Sequence, residues 1–129
     1  MPDEFMKESN EYSLDWLSKW AFYSPNKPAI KDFESGISYS FGQLNNKGER
    51  LASLFLGDWG MQKGDRIAII GENAIEMIFL FVAAQKAGLI LVPMNWRLSP
   101  TEIAYLLEDS QPKALFADQK FLDALQHNE

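Results

Sequence analysis

The chain has 129 residues, of which 12 are Lys or Arg and 18 are Asp or Glu, so its formal net charge is −6. This acidic balance argues against a nucleic-acid-binding surface, which requires a basic patch. The sequence contains no cysteine and one histidine, His127, which excludes disulfides, a thiolate nucleophile, a zinc ribbon and a histidine-based triad. A hydrophobic content of 47% is typical of a soluble globular protein, and the length fits one domain.

The first residues do not resemble a targeting segment. Residues 1–10 are acidic and have neither the basic nor the apolar region of a secretory signal. We expect residues 1–12 to form a flexible acidic arm and the protein to be cytoplasmic. The most apolar stretch, residues 74–94, is interrupted by charged residues and a proline. It is therefore interpreted as a buried helix followed by a buried strand, and no transmembrane segment is predicted.

A helix and a short hairpin are predicted first along the chain. Ser13 is a candidate N-cap for a helix that ends before Pro25. Residues 29–33 and 37–41 are two short runs rich in β-forming residues that flank a Gly-containing turn, which predicts a β-hairpin. The apolar positions of the helix recur with helical period: Leu14, Trp16, Leu17, Trp20 and Ala21.

A second helix is predicted after Ser40. Its apolar residues recur at spacings of three and four, which places them on one face of a helix. They are Leu44, Gly48, Leu51, Phe55 and Trp59.

From residue 67 the pattern becomes β-α-β-α-β-α. Short aliphatic runs predict strands at residues 67–70, 89–92 and 114–117, the second of them ended by Pro93. The expected helices are one capped by Asn73 that ends at Gly88, one over residues 100–109 capped by Ser99, and one that begins near Phe121. This order with short connections predicts an α/β fold, in which flanking helices cover a parallel sheet in three layers.

Candidate site residues lie at the carboxyl ends of the strands, where ligands bind in open α/β sheets. They are residues 71–73, residues 93–97 and Asp118. A phosphate could bind at Gly71, but no two glycines stand two residues apart, so a G-x-G-x-x-G motif is excluded, and no G-x-x-x-x-G-K-[ST] motif is present. Glu72 would also repel an anion, so a tight strand-to-helix turn is the preferred interpretation.

Arg97 has two possible roles. It could bind a carboxylate or phosphate, with Trp96 as a flat platform. Alternatively, Trp96 covers the end of the sheet while Arg97 pairs with Glu102 or with a carbonyl group. The structural role is preferred because most paired charges are structural.

The remaining polar and aromatic candidates are also interpreted as structural. Glu108 and Asp109 are neighbours on a helix, so their side chains diverge by about 100° and form a poor acid/base pair. Lys86 is expected to favour the C-terminal end of its helix. The aromatic residues of the first helix could line a pocket, but they are predicted to close a core: Trp16, Trp20, Phe22 and Tyr23.

Several segments, taken in order, resemble the motifs of the adenylate-forming (AMP-binding) superfamily, in particular acyl-CoA synthetases. Residues 37–44 resemble its hydrophobic-Thr/Ser-Tyr-x-x-Leu segment, and residues 63–77 resemble its GDRVAI…N-x-x-E strand and helix. Residues 83–98 match A-x-x-K-A-G-x-x-x-V-P-x-N-x-R-L, and residues 100–110 resemble the helix that follows. Each segment is weak alone, but the ordered series across residues 13–118 is specific.

The resemblance implies a parent enzyme that uses ATP and Mg²⁺ to form an acyl-adenylate and then, as most members of the family do, transfers the acyl group to the thiol of CoA or of a carrier. The family's phosphate loop and lid lysine have no match here, so no catalytic, cofactor-binding or metal residue is assigned, and no cofactor is expected in this fragment. Residues 13–129 are expected to be an incomplete N-terminal portion of the synthetase domain, inactive alone. Asn73, Asn95 and Arg97 match the family pattern and are expected to fix loops against the rest of the enzyme.

Two other interpretations remain open: a free-standing α/β binding or interaction module without catalysis, and a small Rossmann-like nucleotide-binding domain. For a fragment, the expected partner is the remainder of the parent synthetase. Self-association through an exposed sheet edge is also expected.

Overall fold

The computed structural model describes residues 15–126. The predicted acidic arm, Ser13 and His127 lie outside these residues. A π-helical turn, Leu54–Asp58, follows the second helix. The helices and strands are α1 (Trp16–Tyr23), β1 (Pro28–Lys31), β2 (Ser38–Ser40), α2 (Phe41–Ser53), β3 (Arg66–Ile70), α3 (Ile75–Ala87), β4 (Ile90–Met94), α4 (Pro100–Ser110), β5 (Ala114–Ala117) and α5 (Gln119–Gln126).

The main sheet has three parallel strands in the order β4-β3-β5. Ile67 lies opposite Leu91 of β4 and Ala114 of β5, and this register continues to the carboxyl ends of the strands. Residues 67–70 of β3 are all buried. An uninterrupted aliphatic run forms this strand because helices cover it on both faces.

Two core clusters, one on each face of this sheet, make the three layers. On one face, α2 and α3 pack against Ile67 and Ile69, around the fully buried Phe55. On the other, Ile103 of α4 and Phe121 of α5 pack with Ala68 and with the remaining buried residues of that cluster, Ile70 and Met94. Burying a large apolar side chain completely contributes about 1.5–3 kcal/mol. The predicted α/β fold with a parallel sheet between flanking helices is confirmed.

The predicted hairpin forms with shorter strands than expected. Strands β1 and β2 pair in antiparallel fashion outside the main sheet. The backbone N–H of Asp32 donates to Ile37, and that of Gly36 donates back to Asp32. Gly36 has φ +73°, a conformation that glycine adopts without strain.

Both helix α2 and helix α4 begin with a capping box. Ser40 and Ser99 each accept a hydrogen bond from the third residue of the helix, whose side chain bonds back to the cap. The predicted cap Ser99 is confirmed, as is Gly88, which ends α3 with φ +70°.

Two predicted boundaries are wrong: the start of α3 and the end of β4. The helix begins at Ile75, with Ala74 rather than Asn73 at the cap position and no side-chain cap bond. Burial of five residues stabilises this helix without a polar cap. Pro93 does not end β4 but lies within it, opposite Ile69. This is tolerated because β4 pairs with β3 alone among the described residues, and an edge strand can lack an outward N–H.

Helix α1 also differs from expectation. Asp15, not Ser13, is its N-cap and accepts a hydrogen bond from the Ser18 backbone. Its aromatic residues were expected to close a core, but no residue of α1 is buried, and Trp16 and Phe22 are 71% and 80% exposed. The spacing of apolar residues predicted this helix correctly, but the described residues leave most of its aromatic side chains exposed. None of the helices described is long and apolar enough to cross a bilayer.

Candidate functional site

The carboxyl ends of β3 and β5 bring two of the candidate segments together. A Cβ atom at Gly71 would lie 2.9 Å from Oδ2 of Asp118, so a larger residue at this position would require the Asp118 carboxyl group to shift. Next to it, Nζ of Lys120 lies 3.0 Å from Oε1 of Glu72. Both of these side chains are more than half exposed, so the ion pair contributes at most about 1 kcal/mol.

An apolar cavity of about 290 Å³ lies at this corner of the sheet. Its walls include Leu51 of α2, Met77 and Leu80 of α3, and Phe116 of β5. Three carboxylates also line it, from Glu72, Glu76 and Asp118. A cavity with apolar walls and acidic groups favours an apolar occupant and disfavours an anion such as phosphate.

The loop after β4 is fixed by Asn95. Oδ1 of Asn95 accepts a hydrogen bond from the Arg97 backbone at 3.0 Å, and its carbonyl accepts one from Leu98. Such a side-chain turn explains why an Asn follows the strand. The expectation that Asn95 fixes a loop agrees with this geometry, whereas Asn73 is an exposed residue between Glu72 and Ala74.

Trp96 lies between two cations and an aromatic ring. The Arg97 guanidinium carbon is 5.1 Å from the centroid of the Trp96 ring, and Nζ of Lys120 is 5.8 Å from it. Phe121 packs against Trp96 at 6.3 Å, so the indole ring covers the start of α5. Two cations beside a partly exposed ring can bind a phosphate or carboxylate, although Lys120 is already in contact with Glu72.

The expected pairing of Arg97 with Glu102 does not form. Glu102 completes the capping box of α4 instead, through the Ser99 backbone N–H at 2.8 Å and the Ser99 hydroxyl at 2.9 Å. These hydrogen bonds lower the pKa of Glu102, because they favour its ionised form.

Lys86 lies in the last turn of α3, as predicted, and it also makes contacts with other elements. Its Nζ donates to Asp15 at 2.7 Å and to the Ser18 hydroxyl at 2.8 Å, and it also contacts Asn45. Lysine 86 therefore joins α3 to α1 and α2. Burial raises the pKa of Asp15, but the hydrogen bonds from Lys86 and Ser18 outweigh burial and hold that pKa below its usual value.

Within residues 15–126, no three acidic or histidine side chains form a group that could hold a metal ion. Glu108 and Asp109 are exposed on α4. Sequence reasoning missed Asp15, Asn45 and Lys120, because each of them contacts a residue far away in the chain.

The parallel β4-β3-β5 sheet with helices on both faces defines the described part of this chain as an α/β unit. The family model described as "AMP-binding enzyme" matches residues 17–129. The chain belongs to this family.

Named relatives agree with this assignment. The chain is 35% identical over 112 residues to 2-succinylbenzoate--CoA ligase of Oceanobacillus iheyensis, a match that covers 87% of the chain and 23% of the relative. It is 33% identical over 104 residues to the long-chain-fatty-acid--CoA ligase FadD13 of Mycobacterium tuberculosis, covering 80% and 20%. The crystal structure of the N-terminal domain of FACL13 from Mycobacterium tuberculosis matches with a TM-score of 0.80 at 30% identity, over 88% of this chain and 29% of that one.

The chain spans about a fifth of the length of the curated relatives it matches.

Proposed function

We propose that this chain is the N-terminal segment of an ATP-dependent acyl-CoA synthetase. The parent enzyme activates a carboxylate as an acyl-adenylate and then forms a thioester with CoA. The match of the AMP-binding family model to residues 17–129 carries this proposal, and the relatives named as CoA ligases support it. A cytoplasmic role in fatty acid metabolism is part of the same proposal, supported by the long-chain-fatty-acid ligase among the relatives.

The parent is expected to use ATP, Mg²⁺ and CoA, but the described residues do not fit these groups. A triphosphate requires a cradle of backbone N–H groups and cations, whereas the cavity at the carboxyl ends of β3 and β5 is largely apolar and includes three acidic residues in its lining. No step of the reaction is therefore assigned to a residue of this chain. In the parent enzyme, β3 and its helices serve as a scaffold, and Asn95 and Arg97 hold the loop after β4.

We expect the 129-residue chain to be inactive alone. The test is ATP–pyrophosphate exchange, with a panel of fatty and aryl acids, in the purified chain. A full-length relative such as the FadD13 ligase serves as the positive control under the same conditions. The expected result is exchange at background level for the chain and clear exchange for the control.

Exchange above background that depends on an added acid would refute the inactivity of the chain. Binding of ATP or NAD at micromolar concentration in calorimetry, without exchange, would instead favour a nucleotide-binding module.

A further inference from the structure

Helices α1 and α3 form an apolar groove on the outside of the molecule. Its lining includes Trp16 and Trp20 of α1 together with Ile78 and Phe81 of α3. These four large side chains are all exposed, Trp16 by 71% and Phe81 by 50%. Among the described residues that line the groove, Gln85 is polar and none is charged. We call this surface the α1–α3 patch, and an exposed apolar patch with a polar rim is typical of an interaction site.

The chain around this patch is basic, although the protein as a whole is acidic. Residues 16–31 contain three lysines, all of them exposed, and none of the 18 acidic residues. Nζ of Lys19 lies 5.8 Å from the centroid of the Trp20 ring. The carbonyl of Lys27 accepts a hydrogen bond from the Phe41 backbone at 3.0 Å, and the Phe41 ring lies 6.3 Å from that of Trp20. Two lysines therefore flank the aromatic side of the patch.

The combination of exposed aromatic rings and lysines suits the surface of a membrane. Tryptophan and tyrosine are enriched where a protein meets the headgroup region, because one end of the ring is apolar and the other polar. Phe22 and Tyr23 at the end of α1 add two more exposed rings. Lysine side chains lie along apolar surface and extend their charge towards anionic headgroups. Helices with these two features bind in the plane of the membrane surface.

An anionic lipid surface fits this patch better than a second copy of the chain does. A two-fold contact through the patch would bring the lysines of both copies together, whereas anionic headgroups are opposite in charge. The net charge of −6 opposes lipid binding only within about 8–10 Å at physiological salt, because more distant charges are screened. Residues 1–14 include four acidic residues, so the aromatic side chains must supply part of the binding.

We propose that the α1–α3 patch, flanked by Lys19 and Lys27, docks onto an anionic phospholipid surface. Trp16, Trp20 and Phe81 then lie in the headgroup region, and the contact is peripheral. This inference goes beyond the proposed ligase function and does not require it, since no catalytic step is involved.

Vesicle sedimentation tests the proposal with the 129-residue chain, at a dilution where it is monomeric. Vesicles of phosphatidylcholine with about 30 mol% phosphatidylserine are compared with vesicles of phosphatidylcholine alone. The chain should bind the anionic vesicles at least about tenfold more tightly, and raising the salt concentration from about 0.1 M to about 0.5 M should weaken this binding. Absence of binding to the anionic vesicles, or equal binding to both kinds, would overturn the proposal.

Two pairs of variants locate the binding surface. Phe81→Ser should weaken binding at least about fivefold, whereas Tyr105→Ser, at a 67% exposed aromatic residue of α4, should not. Lys27→Gln should weaken binding about fivefold, whereas Lys113→Gln, at an exposed lysine outside the patch, should have a smaller effect. Equal effects within either pair would reject the α1–α3 patch as the docking surface.

A second measurement does not depend on affinity. Because the chain has no cysteine, an environment-sensitive dye can be attached at Trp16→Cys and, as the control, at Tyr105→Cys. Anionic vesicles should shift the dye emission to shorter wavelength at position 16 and leave it unchanged at position 105. The reverse result would overturn the proposal. It would also fail if the chain forms a dimer without vesicles and Phe81→Ser abolishes that dimer, because a second copy then occupies the patch.

Discussion

Gly48 lies where helices α2 and α3 pack closely together. A Cβ atom built at this position would fall well inside contact distance of Cγ1 of Val82, and 3.2 Å from Cε of Lys86. Neither neighbour can move away easily, because Val82 is 5% exposed and the Lys86 side chain is held by its hydrogen bonds to Asp15 and Ser18. In Gly48→Ala, the two helices must therefore separate or rotate locally.

Two opposing contributions determine the change in the free energy of unfolding. Overpacking a tight core typically costs about 1–3 kcal/mol, whereas replacing glycine by alanine inside a helix contributes about 1 kcal/mol of stability. We expect Gly48→Ala to lose roughly 1 kcal/mol in net terms. The matched control is Gly57→Ala, because a Cβ there meets nothing within 4 Å and Gly57 does not have a positive φ. Gly57→Ala should leave the stability unchanged or slightly raised.

The assay is urea unfolding followed by tryptophan fluorescence, with Val82→Ala added to complete a double-mutant cycle. Removing the clashing methyl groups should make the double variant more stable than the sum of the single variants predicts, by about 1 kcal/mol. The close-packing explanation is wrong if Gly48→Ala is at least as stable as Gly57→Ala, or if the cycle shows no coupling.

Three further outcomes are expected. Lys86→Met should lower the free energy of unfolding by about 1–3 kcal/mol in urea titrations, because the ion pair and hydrogen bond between Lys86 and Asp15 are lost. Lys19→Met, an exposed neighbour on α1, is the control, and equal stability of the two variants would contradict this role. Folding lowers the pKa of Asp15. The contribution of Asp15 to the free energy of unfolding is therefore fully present above about pH 3.9 and is lost as the pH falls through the pKa of the folded state. The loss of stability in Lys86→Met should accordingly become smaller in acid. Ser99→Ala should lower the free energy of unfolding by about 1 kcal/mol, because it removes the capping box of α4. Ser53→Ala is the control, since Ser53 makes no side-chain cap bond, and its stability should not change. Similar thermal midpoints for the two variants would argue against a stabilising cap. The chain should self-associate at high concentration in sedimentation velocity. Added salt should strengthen this association, because it screens the net charge of −6. A monomer at all concentrations and salt levels would contradict an open apolar edge of the sheet.

Local signals in the sequence predicted much of this fold. The aliphatic run at residues 67–70 identified β3, and Ser99 with Pro100 identified the start of α4, because a buried strand and a capped helix each depend on a few consecutive residues. The order of these elements then gave the parallel sheet. The end of α3 at Gly88 was predicted for the same local reason.

The errors arose where contacts between distant segments decide the outcome. Asp15 and Lys86 are 71 residues apart, so no local pattern shows that they form an ion pair. Pro93 was expected to end β4, but its effect depends on whether the strand has one neighbour or two, which is a property of the sheet order. The exposure of Trp16 depends likewise on what covers α1, not on the helical period.

The candidate site was only partly predictable. Asn95 at the end of β4 could be read as a turn residue because its bond to Arg97 is local. The contact of Lys120 with Trp96 and Glu72 could not, since it requires the carboxyl ends of β3, β4 and β5 to meet at one edge.

Helix α1 contributes no buried side chain, yet Lys86 anchors it through Asp15 and Ser18. The attachment of this helix thus depends in part on the ionisation of Asp15, in addition to apolar contacts such as that of Trp20 with Phe41. Acid that neutralises Asp15 weakens this anchor while the apolar clusters around Phe55 and Ile103 keep their driving force. We therefore expect acid to loosen the attachment of α1 before it weakens these apolar clusters.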